Sequence, residues 1–219
     1  MTEPGSHLVA AVQIMDRLRS PGGCPWDAEQ THRSLAPYLL EEAYETLEAI
    51  ETADPAALRE ELGDLLLQVL FHARLAEEAD GDERFGIEEV AADLVAKLTR
   101  RHPHVFAETV ADSAEVVAAN WDEIKKVEKQ RQSATDGVAM GQPALSLAAK
   151  LVQRSGRAGL SVELPQPDGI GEKLLAIVAE AVQAGIDPEL ALRSTARAYA
   201  DTIRHQEHSE SADRRSDPE

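Results

Sequence analysis

The sequence predicts an all-α fold. Apolar residues recur at helical spacing along nearly the whole chain, whereas alternating Val/Ile/Thr/aromatic runs bounded by turn residues are nearly absent. Glycines and prolines cluster between the periodic segments and divide them. Helix one is expected over His7 to Arg19, ended by the two prolines and two glycines of Ser20 to Asp27. A second should start near Pro37, a residue suited to a first turn, and stop before the Thr-Ala-Asp-Pro run at 52–55. Asp54 reads as an N-cap with Pro55 behind it, opening a long third helix to about Glu78. Ala79 to Gly86 is a loop, and a fourth helix runs from Ile87 to Arg101, where Pro103 prevents continuation. A fifth covers about Ser113 to Gln130. Residues 131–143 have linker composition, and helical patterns resume at Leu145 to Arg157, Glu172 to Ala184 and Pro188 to Gln206. The expected organisation is a helical domain over 1–130, a linker over 131–143, a second helical region over 144–207 and a charged, disordered tail over 208–219.

The chain has 219 residues, 43% of them apolar, which suffices for a real core. Its 40 Asp and Glu outnumber 22 Lys and Arg, giving a formal charge of −18. Such a field repels nucleic-acid phosphates and anionic membranes, so neither is an expected partner. Cys24 is the single cysteine, which fits a reducing compartment. No signal peptide or apolar run of spanning length is visible, and the expected location is the cytoplasm.

The stretch Leu39 to Ile50, "LLEEAYETLEAI", carries Glu41, Glu42 and Glu45 on the side of its helix opposite Leu40, Tyr44 and Leu47. Alone, that is an ordinary amphipathic pattern. The next helix differs. There Glu61, Asp64, Gln68 and His72 form a narrow polar stripe with leucines on both flanks, and such a stripe is enclosed rather than washed by bulk water. Glu45 and Glu61 are equally far from Ala53, as are Glu42 and Asp64, so an antiparallel hairpin turning there sets these carboxylates at matched heights. A converging cluster repels itself and must be neutralised by protons or a hard divalent cation. Oxygen ligands without paired Cys or a suitably placed His point to Mg²⁺ or Mn²⁺ rather than Zn²⁺. No EF-hand ligand pattern, Glu-x-x-His pair, P-loop or dinucleotide-binding glycine pattern offers a competing chemistry.

"EEAYE" at 41–45 followed by "ELGD" at 61–64 resembles the EExxE…ExxD signature of the MazG nucleoside triphosphate pyrophosphohydrolases. "GGCPWDAEQTHRSL" before it, and "RRHPHVF" and "NWDEIKKVEK" after it, are similar to that family's first catalytic domain, over about residues 7–130. Four motifs in the right order make the match specific. A weaker likeness continues through "GQPALSLAAKLVQR". The resemblance implies a helical bundle of the MazG type, a homodimer, and Mg²⁺-dependent hydrolysis of NTPs and dNTPs to the monophosphate and pyrophosphate. It assigns Glu42, Glu45, Glu61 and Asp64 as metal ligands, with Glu41 joining them or positioning water. Two rivals are a dUTP or dCTP pyrophosphatase of narrow specificity and a non-enzymatic, partner-binding helical module with a vestigial acidic cluster.

Lys97, Arg100 and Arg101 share one side of the fourth helix and are candidates to clamp a triphosphate, against the plainer role of pairing with surface carboxylates. Trp121 and Lys125 stand one turn apart, in a region that the resemblance places near the nucleotide. Trp26, Asp27 and Gln30 are candidates for base or ribose contact, although the same segment reads equally as a packed turn. His102 and His104 flank Pro103 as a helix stop, His72 faces the acidic stripe, and Cys24 lacks an activating arrangement.

Tandem catalytic domains occur in this family, but a second metal motif is missing here. Sliding the chain by 108 positions aligns Gly171–Gly185 with Gly63–Glu77 and shares the glycine, two leucines and two alanines. At that offset Gly169 replaces Glu61 and Glu172 replaces Asp64, so the second half reads as a degenerate repeat without metal ligands.

Overall fold

A computed structural model describes residues 3–107, 113, 116–117 and 132–216. It contains helices α1 (Ser6–Arg19), α2 (Pro25–Glu29), α3 (His32–Glu51), α4 (Pro55–Ala76), α5 (Ile87–Arg101), α6 (Pro103–Phe106), α7 (Ala144–Arg157), α8 (Ile170–Gln183) and α9 (Pro188–Ser216), with a 3₁₀ turn at Gly81–Glu83. Among the described residues there is no strand, so the all-α expectation holds. The fifth helix expected at Ser113 to Gln130 lies mostly outside the described residues. The chain forms two compact units, Met1–Trp121 and Asp122–Glu219.

The first unit is organised by the α3/α4 hairpin. Its turn has no slack. Ala53 N–H donates to Ile50 O and Asp54 N–H to Ala49 O, both at 3.2 Å, which closes α3 with a Schellman motif. Ala53 adopts the left-handed region at φ 53°, where glycine is usual. Asp54 at once caps the next helix: its Oδ1 accepts from Ala56 N–H at 2.9 Å and Ala57 N–H at 3.1 Å. One residue thus ends one helix and starts the next, which fixes the register between them.

α3 begins at His32 rather than near Pro37. A capping box explains the difference: Ser34 N–H donates to Thr31 Oγ1 at 3.1 Å while Thr31 N–H donates to Ser34 Oγ at 2.9 Å. Pro37 lies inside the helix, early enough that its missing N–H is tolerated. The extra turn carries Leu35, 1% exposed, into a core with Met15, Leu70 and Phe71. Ala11, Val12 and Leu18 of α1, Leu66 and Leu75 of α4, and Ile87 of α5 pack around it.

Arg19 ties the segment after α1 to α4. Its side chain is 4% exposed and pairs with Glu78 at 2.8 Å. It also donates to the carbonyls of Asp27 and Gln30 and lies 5.6 Å from the Phe71 ring centroid. The Arg19 hydrogen bond holds the Glu78 carboxyl below its usual range, against an opposing effect of burial, and the Arg19 and Arg74 charges add to the lowering. Gly23 allows the approach, because a Cβ there would collide with the carbonyls of Arg17 and Leu18. The 20–27 segment is consequently ordered and leads into α2, which begins at Pro25.

In the second unit, Ala149 of α7 and Val178 and Ala179 of α8 are buried. Arg154 donates to Ala134 O and Asp136 O, while Asp136 accepts from the N–H groups of Gln132 and Ser133, so the start of the expected linker is turned back onto α7. α9 continues to Ser216, well past Gln206; the added residues include Glu, Ala and Arg, all good helix formers.

Four substitutions test these contributions to the first unit's stability. Asp54→Ala should cost about 1 kcal/mol in denaturant unfolding, whereas Ala53→Gly should be neutral or stabilising by up to about 1 kcal/mol because it removes the left-handed strain. Arg19→Ala should cost about 3 kcal/mol, from lost charge-assisted hydrogen bonds and packing. Glu78→Gln should cost only about 1 kcal/mol, since that partner is partly solvated.

Candidate active site

The fixed hairpin register brings the carboxylates together. One oxygen from each of Glu42, Glu45 and Glu61 lies within 4.8 Å of the others, with Glu42 and Glu61 half-buried and Glu45 exposed. Asp64 is outside this tight trio but close enough for its charge to act on Glu42 and Glu61. Glu41 is exposed and also outside the trio. Among the described residues, no second group of three such ligands is found.

The acidic side of α3 faces α4. Leu40 on the opposite side is 55% exposed, and Leu39 and Tyr44 are exposed as well. An isolated amphipathic helix would do the reverse. The inward carboxylates carry an electrostatic cost. Burial pushes the Glu42 carboxyl above its usual value, followed by repulsion from Asp64 and Glu45, a shared hydrogen bond with Glu45, and Glu61. Burial likewise raises Glu61, followed by the charges of Glu45, Asp64 and Glu60.

These donors fit a hard divalent cation. Three carboxylate oxygens gathered within 4.8 Å of one another form the oxygen-only, anionic donor set that such an ion takes, so the residues present fit it. A cation also offsets the burial of charge and the mutual repulsion that together raise both pKa values.

Further along the stripe, Gln68 is 4% exposed and its Oε1 has no donor. His72 makes a 2.8 Å Nδ1···Nδ1 hydrogen bond to His32, with the two rings stacked at 5.1 Å, so its short partner is this imidazole. Burial, then His32, lowers the His72 pKa. One Nδ1 donates to the other, with the direction set by the tautomers, and His72 Nε2 is buried without a partner.

Trp26 sits on α2, 51% exposed, edge-on to Tyr38 at 6.1 Å and to Phe71 at 6.4 Å. Gln30 uses both ends of its carboxamide internally: Nε2 donates to Trp26 O at 2.9 Å, and Oε1 accepts from Ser34 Oγ at 2.7 Å. Its visible work is to join α2 to the start of α3. Lys97, Arg100 and Arg101 lie on α5, the first two exposed and Arg101 half-buried. His102 Nδ1 bonds to Leu98 O at 2.7 Å, in keeping with a helix stop. Trp121 and Lys125 fall outside the described residues.

Sequence reasoning passed over Tyr38 and the His32–His72 pair. The signal was present, because Tyr38 and Gln68 are equally far from Ala53 and the hairpin sets them level.

The raised Glu42 pKa makes a stability prediction for the metal-free protein. A carboxyl whose folded pKa lies above its unfolded value costs no stability while protonated, and the cost develops as pH rises through and above about 4.5. Glu42→Gln should therefore gain thermal stability relative to the parent as pH rises from about 4 to 7. The two melting temperatures, measured with chelator present, should diverge across that window and stay parallel below it.

Residues 30–106, which span the hairpin and reach Phe106, match the MazG nucleotide pyrophosphohydrolase domain. An uncharacterized 26.1 kDa protein of Streptomyces cacaoi is 50% identical over 92% of this chain and 83% of its own length. The nucleoside triphosphate pyrophosphohydrolase of Mycobacterium tuberculosis is 47% identical over 93% of this chain, which spans 59% of that longer relative. The nucleoside triphosphate pyrophosphohydrolase/pyrophosphatase MazG of Thermotoga maritima is 36% identical over 94% of this chain and 88% of its own length. With the acidic hairpin, its spacing and these relatives all in agreement, the chain belongs to the MazG family.

Proposed function

We propose that this chain is a Mg²⁺-dependent nucleoside triphosphate pyrophosphohydrolase that converts NTPs and dNTPs to the monophosphate and pyrophosphate. The observation that carries this reading is the convergence of Glu42, Glu45 and Glu61, with Asp64 beside them, inside a hairpin of this family. The pyrophosphohydrolase names of the mycobacterial and Thermotoga relatives support the choice of reaction.

Glu42, Glu45, Glu61 and Asp64 would hold Mg²⁺, with Mn²⁺ as a substitute. The cation, when bound, would supply positive charge against the negative charge developing on the phosphate oxygens. Glu41, or a carboxylate of the cluster left free of the metal, orients a water for attack on the α-phosphorus and takes its proton. A P–O bond forms to water as the bond to the bridging α–β oxygen breaks, and pyrophosphate leaves. Lys97, Arg100 and Arg101 are the basic groups offered to the triphosphate, Trp26 offers an exposed ring to the base, and Gln30 holds that ring's segment in place. Trp121 and Lys125 remain candidates for nucleotide contact.

A homodimer belongs to this reading. Leu39, Leu40 and Tyr44 of α3 and Leu62, Leu67 and Val69 of α4 are exposed, an apolar surface that a second copy would cover. The second unit, lacking a comparable acidic trio among its described residues, serves packing or regulation as a degenerate repeat. A reducing cytoplasm suits the single cysteine, and among the described residues no helix is long and apolar enough to cross a membrane.

Separation of reaction products on anion exchange tests the reaction. Monophosphate and pyrophosphate are expected from the parent protein with Mg²⁺. Glu42→Gln and Asp64→Asn should each lower kcat/KM about 100-fold or more while keeping the helical circular-dichroism spectrum. Diphosphate and orthophosphate as initial products would contradict the assigned bond, and near-normal rates in either variant would contradict the ligand assignment.

A further inference from the structure

We infer that Gln68 is a sugar-reading residue: its Oε1 accepts a hydrogen bond from a ribose hydroxyl of the bound nucleotide. This rests on the hydrolase reading and adds a residue that determines which sugar is accepted.

Gln68 is buried to 4% exposure, and its carbonyl oxygen meets no donor. Folded chains rarely keep such an oxygen unsatisfied, so a donor arriving from outside the chain is the natural complement. An amide oxygen is satisfied by a hydrogen-bond donor or by a cation, and ionised phosphate oxygens, which only accept, are neither. The cation's place on the stripe is the carboxylate cluster of Glu42, Glu45 and Glu61 with Asp64 beside it, which leaves a donor as the complement of Gln68. The donors that a nucleoside triphosphate carries are its sugar hydroxyls and the N–H groups of its base.

Position favours the sugar. Gln68 is one helical turn from Asp64 on α4, a rise of about 6 Å. The ribose is the next group after the α-phosphate, whereas the base lies beyond it. Tyr38, level with Gln68 across the hairpin, carries the edge contact to Trp26 at 6.1 Å, which puts the exposed aromatic surface beside this rung rather than beside the carboxylates. The next turn presents His72, whose Nε2 is the other unpartnered buried side-chain atom of the first unit among the described residues. The stripe therefore changes along α4 from carboxylates that hold cations to neutral groups suited to a nucleoside. Gln30, which is bonded to Trp26, has both ends of its amide engaged within the chain, whereas Gln68 has an acceptor to offer.

The test compares kcat/KM for an NTP, its 2′-deoxy and its 2′,3′-dideoxy forms on the full chain, with Gln68→Met and Gln68→Asn beside the parent. The parent should lose about tenfold or more at the step that removes the hydroxyl read by Gln68. Gln68→Met keeps length and removes the acceptor. It should lower the rate on the better sugar and bring that ratio to about one, leaving the stabilisation by Mg²⁺ in a melting experiment unchanged. Gln68→Asn, with its acceptor withdrawn by one methylene, should show the same loss and covers the case in which the Met variant does not fold. A parent that hydrolyses all three sugars equally would overturn the inference without any variant. So would a ratio preserved in either folded variant, which would leave Gln68 satisfied by a buried water. A parent with no turnover on any nucleotide would instead overturn the hydrolase reading and this assignment with it.

Discussion

Repulsion among carboxylates that cannot move apart is the constraint on which the first unit depends. Asp54 closes α3 and caps α4 with no residue between, so the two helices cannot slide to separate Glu42, Glu45 and Glu61. The cost is visible in the upward displacement of the Glu42 and Glu61 pKa values, to which burial contributes most and the neighbouring carboxylates add. Such a cost persists in a fold when function requires the cluster, and here the strain of Ala53 in the left-handed region accompanies it. A core of Met15, Leu35, Leu70 and Phe71 and the Arg19 clamp hold the hairpin at its open end, so both ends of the two helices are fixed.

Much of this was legible from residue spacing. The limits of α1, α5 and α7 follow from periodicity and breakers, and Asp54 with Pro55 announces the start of α4. The equal spacing of acidic residues about Ala53 shows the cluster before any coordinates do. Two kinds of information were not local. Pro37 looked like a first-turn residue because the competing signal, the reciprocal bonds of Thr31 and Ser34, uses a serine where glutamate or glutamine is the familiar partner. Gln30 reads equally as a base or ribose contact and as part of a packed turn, and its hydrogen bonds to Trp26 and Ser34 depend on how α2 packs, which spacing does not reveal.

The orientation of α3 links the site to assembly. Turning the glutamates toward α4 leaves Leu39, Leu40 and Tyr44 outward. The surface that makes the acidic centre possible is thus the same event that creates an apolar face, and a second copy is the simplest cover for it. In the proposed dimer, burial of that face would also stiffen the hairpin that carries the carboxylates and so couple assembly to cation binding.

The central claim is that the hairpin carboxylates form a preformed cation site. Calorimetric titration of Mg²⁺ into nucleotide-free protein near pH 5, repeated in buffers of different ionisation enthalpy, measures both binding and the protons released with it. Because Glu42 and Glu61 hold protons to higher pH than ordinary glutamates, binding should expel a measurable fraction of a proton, and Glu61→Gln should reduce both heat and release. Binding without proton release, or no binding until a nucleotide is added, would contradict a preformed site.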